Sequence, residues 1–278
     1  MDWRRVGPAI DVRPLFPLER GALLALLAGL DAAAWDRPTV CPGWTVHDLV
    51  AHLAHDYVRR LSGTRDRHAS AGLASGEDLP TFLARVNDDF VTATRGLSTR
   101  VLIDLLAHLG PQLDALWSGL DLDGIGEDSV WWASPNVPAP VWLDVAREYT
   151  EFWVHQQQIR DALGRPGADQ PELQGPVIDT FLRALPHTLR EHPAPAGTAL
   201  TVHVYGEAGG AWTVTRDPDG WSLRHGSTAR INRIGIGPDT LWRLATRGIT
   251  PEAARAVVTV EGDEALAGAA LRILSIIR

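Results

Sequence analysis

The chain has no lysine, so all 26 of its basic Lys/Arg residues are arginine. It has one cysteine, Cys41, and one methionine, Met1. A single cysteine excludes an internal disulfide framework and a cysteine-rich zinc site, and it suits a reducing cytosol. The missing lysine is a composition bias and carries no functional signal by itself. Positive charge is also in the minority: 34 acidic against 26 basic residues leave a net charge of −8. That balance argues against nucleic acid or an anionic membrane surface as a partner. Long apolar runs are absent. The longest, Ala22 to Leu30, is too short to span a bilayer, and the opening MDWRRVGPAIDVRP has no apolar segment of signal-peptide type. The expectation is a soluble cytoplasmic protein, monomeric or homodimeric, with no nucleic-acid or membrane partner.

What the chain does have is tryptophan, 11 residues of it. Large-aromatic core filling is the ordinary use, with Trp44 and Trp132 as candidate pocket walls. It also has one organising stretch, Pro140 to Arg165. Pro140 suits a first helical turn, and Gly164 followed by Arg165-Pro166 is a stop signal. Val145, Tyr149, Phe152, Trp153, Ile159 and Leu163 recur near helical spacing, so one side is expected to be buried. Glu151 and His155 are four apart and stack on one face. A carboxylate and an imidazole so placed can share a metal ion, although the same spacing is common in solvated surface pairs.

The rest of the N-terminal half reads as helices: Leu15 to Ala33, Val46 to Leu61, Leu79 to Thr94 and Ser98 to Leu120, the last with Pro111 expected to bend or interrupt it. Trp35 to Trp44 is a loop, after which Thr45 and Asp48 form a variant capping box. Arg65 to Gly76 is a polar connection, and Asp121 to Ala139 a long Gly-, Pro- and Asp-rich loop around Val130-Trp131-Trp132. Helices joined in this way predict a bundle, whose metal sites are built from inward side chains on facing helices.

After about Gly167 the character changes. Val177 to Glu191 is a candidate helix. From Thr198 the apolar period becomes two, with Asp217-Pro218-Asp219-Gly220 as a hairpin turn. Asp239 to Thr246 reads as helix, Ala256 to Glu261 as strand, and Asp263 to Ile277 as a closing helix. The expected division is a helix bundle over residues 1–167 and a small α+β domain over 168–278.

The second helix offers the missing ligand. His52 lies one turn after Asp48 and one before Asp56, with Arg59 further along that side; His55 is a rival. One such histidine with Glu151 and His155 makes a two-His, one-carboxylate set, which suits zinc with an open position or non-haem iron. Arg59 is the candidate catalytic arginine, because a guanidinium fork matches a carboxylate substrate. His47 and His108 read as structural or exposed, and Cys41 as a small buried apolar residue.

WDRPTVCPGWTVHDLVAHLAHD resembles the N-terminal signature of the mycothiol-dependent maleylpyruvate isomerase family of DinB-like metal-binding bundles. EYTEFWVHQQQIRDALGRPG resembles its second signature, and VTVEGDEALAGAALRIL the end of a sterol-carrier-like C-terminal domain. The resemblance implies a DinB-like four-helix bundle followed by that α+β domain. It also implies a divalent metal, usually zinc, on His52, Glu151 and His155. Mycothiol is implied as the thiol cosubstrate, with cis–trans isomerisation or S-transfer on a small electrophilic molecule as the reaction. A further arginine from the C-terminal part is implied as well; Arg230, Arg233, Arg243 and Arg247 are the candidates. One departure concerns the acid that many members carry three residues after the ligand histidine, where this chain has Gln158. The alternatives to a thiol enzyme are a metal-stabilised binding or regulatory module and a thiol-independent metal hydrolase.

Overall fold

The structure is a computed structural model that describes residues 2–68, 72, 74–228 and 231–275. The chain forms a helical N-terminal region followed by an α+β part built on a sheet. Its contacts group into two compact units, neither continuous in sequence. One is helical, Val12–Leu120 with Glu151–Asp169. The other is mixed, Met1–Asp11, Asp121–Thr150 and Gln170–Ile277. The expected cut after Gly167 falls close to a break between units, but residues 1–11 and 121–150 group with the mixed one.

In the helical unit α1 spans Phe16–Ala28 and ends at Gly29, whose N–H reaches back to Leu26 and Leu27. Asp31 then caps a short α2, Ala32–Trp35. The single helix expected over Leu15 to Ala33 is therefore two, because glycine closes one turn and aspartate opens the next. Helix α3, Val46–Arg60, begins on the predicted capping box: Thr45 accepts from the Asp48 N–H, and Asp48 accepts from the Thr45 N–H. A wider π-type turn, Leu61–Arg65, continues it. Helix α4 is Leu79–Thr94 and α5 is Thr99–Ser118. Pro111 does not interrupt α5. The preceding Gly110 leaves the space that the Arg20 side chain fills on its way to Asp114, where a β-carbon would collide.

Helix α6, Val141–Leu163, is the stretch the sequence singles out, and Gly164 terminates it in the left-handed conformation at φ 65°. Its C-terminal half belongs to the helical unit. There Phe152 meets Phe16 edge-on at 5.7 Å and Tyr57 at 5.1 Å. Trp153 is fully buried and donates to the Ala168 carbonyl at 2.7 Å. That bond, with Gln157 donating to the Gly167 carbonyl at 3.1 Å, folds the Gly164–Ala168 segment back on the helix.

One buried acid sits behind this helix. Glu19 on α1 is 1% exposed and accepts from the Gln156 amide, while its Oε2 has no hydrogen-bond partner among the described residues. Burial pushes its carboxyl from 4.5 up to about 7, against the opposing pull of Gln156, Arg20 and Arg160. Between these two values the unfolded chain has released the proton and the folded chain still holds it. Stability therefore falls as pH rises through that window, by roughly 3 kcal/mol at most, and this group changes nothing further above it. Glu19→Gln should match the native protein near pH 5 and melt higher at pH 8. Equal melting temperatures at both would show that Glu19 ionises freely.

The mixed unit pairs β1, Ile125–Ser129, with β2, Pro138–Pro140. The expected long loop thus contains a small antiparallel ribbon, which its glycines and prolines hide from a pattern of alternation. Helix α7 is Pro171–Leu182, starting six residues before the expected Val177 because Pro171 fits its first turn, and α8 is Leu185–Thr188. Five strands follow in the order β5-β4-β3-β6-β7: β3 Ala199–Val204, β4 Gly210–Asp217, β5 Gly220–His225, β6 Asn232–Ile236 and β7 Thr259–Glu261. The predicted hairpin turn is present, with Asp217 opposite Gly220. Strand β6, parallel to β3, is not evident in the sequence. Gly235 breaks its pattern, and any side chain there would strike Tyr205 and Thr259. Helix α9 is Pro238–Ala245 and α10 is Pro251–Arg255, which shortens the strand expected over Ala256 to Glu261 to Thr259–Glu261. Helix α11 is Glu264–Ala270, so the expected closing helix ends early: Leu271–Ser275 lie outside it, and 276 and 277 lie outside the described residues.

Asp179 on α7 anchors this unit. It accepts from Trp212 at 2.7 Å and from Arg183 at 2.6 Å, and its Oδ1 lies 2.8 Å from Nε2 of His225. Arg183, fully buried, also donates to the carbonyls of Val6 and Pro8 and so ties the N-terminal segment into the unit. No helix among the described residues is long and apolar enough to cross a membrane.

Candidate metal centre

Helix α6 presents Glu151, His155 and Gln158 at intervals of four and three, which places them on one face. Helix α3 presents His52, 4% exposed, and both sets belong to the helical unit. Nε2 of His52 lies 3.2 Å from Nε2 of His155. Oε1 of Glu151 lies 3.2 Å from the same His155 nitrogen and 3.9 Å from that of His52. Among the described residues these are three donors that all lie within 4.8 Å of one another.

The triangle fits a metal ion. A point equidistant from three atoms so separated is about 2 Å from each, the length of a zinc–nitrogen or zinc–carboxylate bond. The donor chemistry agrees. Two imidazole nitrogens that face each other at 3.2 Å repel unless a cation or proton lies between them. Burial raises the Glu151 carboxyl, but hydrogen bonds from His155 and His52 outweigh it and hold the group well below the usual range. Burial would lower His155, yet hydrogen bonds with Cys41 and Glu151 and the charge of Glu151 keep it well above its ordinary value. The pocket thus favours positive charge at the point where its donors converge.

His155 is oriented from behind. Its Nδ1 lies 2.8 Å from Oε1 of Gln158, and the Cys41 thiol donates to the same oxygen at 3.4 Å. At the position where the resemblance implies an acid, this chain offers the Gln158 amide carbonyl instead. Cys41 is half-buried and belongs to this arrangement, which its sequence context did not signal.

The other sequence candidates are distributed as follows. His55 stacks on Phe90 with centroids 4.4 Å apart and hydrogen-bonds Asn87, so it faces α4 and not the centre. His47 contacts the Leu97 carbonyl at 3.0 Å. Trp44 packs on His52 with ring centroids 5.2 Å apart and forms one wall of the site. Trp132 is buried in the mixed unit. Asp56 is buried with Oδ2 3.7 Å from Nε2 of His52, and Arg59 reaches Oδ1 of that aspartate at 3.4 Å. Arg243 pairs with Asp239 and lies over Trp242, Arg233 is exposed on β6, and Arg247 sits in a turn at φ 57°. Arg230 lies outside the described residues.

Residues 16–160, just over half of the chain, match the family described as the mycothiol maleylpyruvate isomerase N-terminal domain. The chain belongs to that family. All three donors fall within the stretch that carries the mycothiol maleylpyruvate isomerase N-terminal domain. A crystal structure of a histidine-to-alanine mutant of the mycothiol-dependent maleylpyruvate isomerase aligns with a TM-score of 0.51 at 14% identity, covering 85% of this chain and 88% of that one. A second crystal structure of the same isomerase aligns at 0.47 with the same identity and coverage. At this identity the likeness speaks for a shared fold. No curated protein sequence matches the chain.

Proposed function

We propose that the chain is a metal-dependent enzyme that uses a low-molecular-weight thiol, mycothiol, for cis–trans isomerisation or S-transfer on a small electrophilic molecule. The observation that carries this reading is the convergence of His52, Glu151 and His155 on one point. Family membership supports the choice of thiol and reaction class. In the proposal these three residues hold a divalent cation, zinc by the usual preference of such a donor set. When bound there, the cation would lower the pKa of an incoming thiol and so favour the nucleophilic thiolate.

The residues of the chain do the rest. Glu151 contributes one negative charge, so the centre stays cationic and attracts an anionic sulfur. Trp44 packs against the ring of His52. In the proposal Arg59, 35% exposed and paired with Asp56, receives a carboxylate of the substrate. The cytoplasm, where a free thiol persists, is the proposed compartment.

The experiment measures turnover of a conjugated cis-dicarboxylate and of a simple electrophile, with and without thiol, before and after chelation. Turnover that needs both thiol and metal is the expected result. Thiol-independent hydrolysis would replace the proposal with a metal hydrolase, and metal binding without any turnover would replace it with a binding module. Arg59→Ala should raise KM for the dicarboxylate more than for the uncharged electrophile.

A further inference from the structure

We infer that Cys41 and Gln158 are positioning residues for the metal: the cysteine S–H fixes which way the glutamine amide faces, and the amide oxygen fixes His155 with its Nδ1 protonated and its Nε2 turned to the cation. This rests on the proposed reading of the site as a metal centre. The two histidines are held differently. His52 Nδ1 is buried without a hydrogen-bond partner among the described residues, whereas His155 Nδ1 lies 2.8 Å from Gln158 Oε1. The site therefore controls only one of its two imidazoles through the second nitrogen.

A primary amide can face His155 in either of two ways. With oxygen forward it accepts from Nδ1–H, and Nε2 is free to bind a cation. With nitrogen forward it donates to Nδ1, the ring proton moves to Nε2, and the lone pair that should hold the metal is lost. A carboxylate has no such second orientation, because both of its atoms accept. Glutamine therefore needs something to choose for it. Cys41 sits 3.4 Å from the same oxygen. A thiol is a donor first and a poor acceptor, so an amide oxygen there satisfies both neighbours, whereas an amide nitrogen leaves the thiol without an acceptor. The loop that carries Cys41 is itself fixed, since the Cys41 N–H donates to Thr39 Oγ1 at 3.1 Å and the Trp44 N–H donates to the Cys41 carbonyl. One path from backbone to metal ligand thus runs through loop, thiol, amide oxygen and imidazole, with each link a donor meeting an acceptor, beside the direct Cys41–His155 contact.

The test is zinc affinity of the full chain, by competition with a chromophoric chelator, for the native protein and for Gln158→Leu, Gln158→Glu, Cys41→Ala and Cys41→Ser. Melting temperatures are measured alongside. Gln158→Leu should bind zinc about 10- to 100-fold more weakly, the usual loss for the partner of a ligand histidine. Gln158→Glu should bind at least as tightly as native, because a carboxylate accepts in either orientation. Cys41→Ala should lose roughly two- to tenfold, about one neutral hydrogen bond, and Cys41→Ser should retain native affinity. A second readout is the Nδ1–H resonance of His155 in zinc-loaded, ¹⁵N-labelled protein. It should be shifted far downfield in the native and Gln158→Glu forms and not in Gln158→Leu. A folded Gln158→Leu protein with native affinity would overturn the inference, and Cys41→Ala with native affinity would remove the cysteine from it. Turnover is not read, so failure of the thiol chemistry would leave these results standing. A native protein that binds no zinc would sink both readings.

Discussion

Alanine at position 155 is expected to weaken binding of a divalent cation by well over roughly a hundredfold, since loss of a mere partner to a ligand histidine already costs about 10- to 100-fold. Thiol-dependent turnover should disappear with it. His155 is the centre of the triangle: its Nε2 is 3.2 Å from each of the other two donors, which are 3.9 Å from each other. Without it a carboxylate and a single imidazole remain, too few to compete with solvent for zinc. The fold should survive, because the ring contributes to the site rather than to the aromatic core around Phe152. His55→Ala is the control. It lies three residues from His52 on the same helix but stacks on Phe90, and it should keep one equivalent of metal. The measurement is zinc stoichiometry by emission spectrometry after dialysis. One equivalent retained by the His155 variant and lost from the His55 variant would show that the wrong imidazole has been assigned.

The second large effect is on stability. Trp153→Ala should cost about 3–5 kcal/mol, the range for truncating a buried large aromatic. A typical domain has only about 5–15 kcal/mol in total. Two losses combine here. The indole is fully buried beside the site helix, and its N–H satisfies the Ala168 carbonyl at 2.7 Å. Ala168 is held at φ 56°, a conformation that alanine adopts only under constraint. Releasing that bond should let the Gly164–Ala168 segment leave the helix. The melting temperature should fall by roughly 10 °C or more, and Trp153→Phe should recover most of the packing but not the hydrogen bond. A drop of only a degree or two in the alanine variant would mean that the segment is held from elsewhere.

Local rules already set several helix ends of the bundle. Thr45 and Asp48 specify where α3 begins, and Gly164 with Pro166 specifies where α6 ends, because caps and breakers act within a turn of chain. The Glu151/His155 step was equally legible, since a spacing of four on a helix is geometry. The strands were harder. Gly235 silences β6, and prolines and glycines mask the ribbon of β1 and β2, because a strand exists only through partners that lie elsewhere in the chain.

Other features belong to tertiary structure alone. That His52 rather than His55 meets the pair depends on which face of α3 turns toward α6 and which toward α4. Spacing left both in play, and the family resemblance, not periodicity, favoured His52. The grouping of residues 1–11 with the α+β part depends on Arg183 finding the Val6 and Pro8 carbonyls about 175 residues away. The proximity of Cys41 to Gln158, 117 positions apart, is of the same kind. Sequence sets what a residue can donate or accept within reach of its own helix; only the packed fold decides which distant atom comes to meet it.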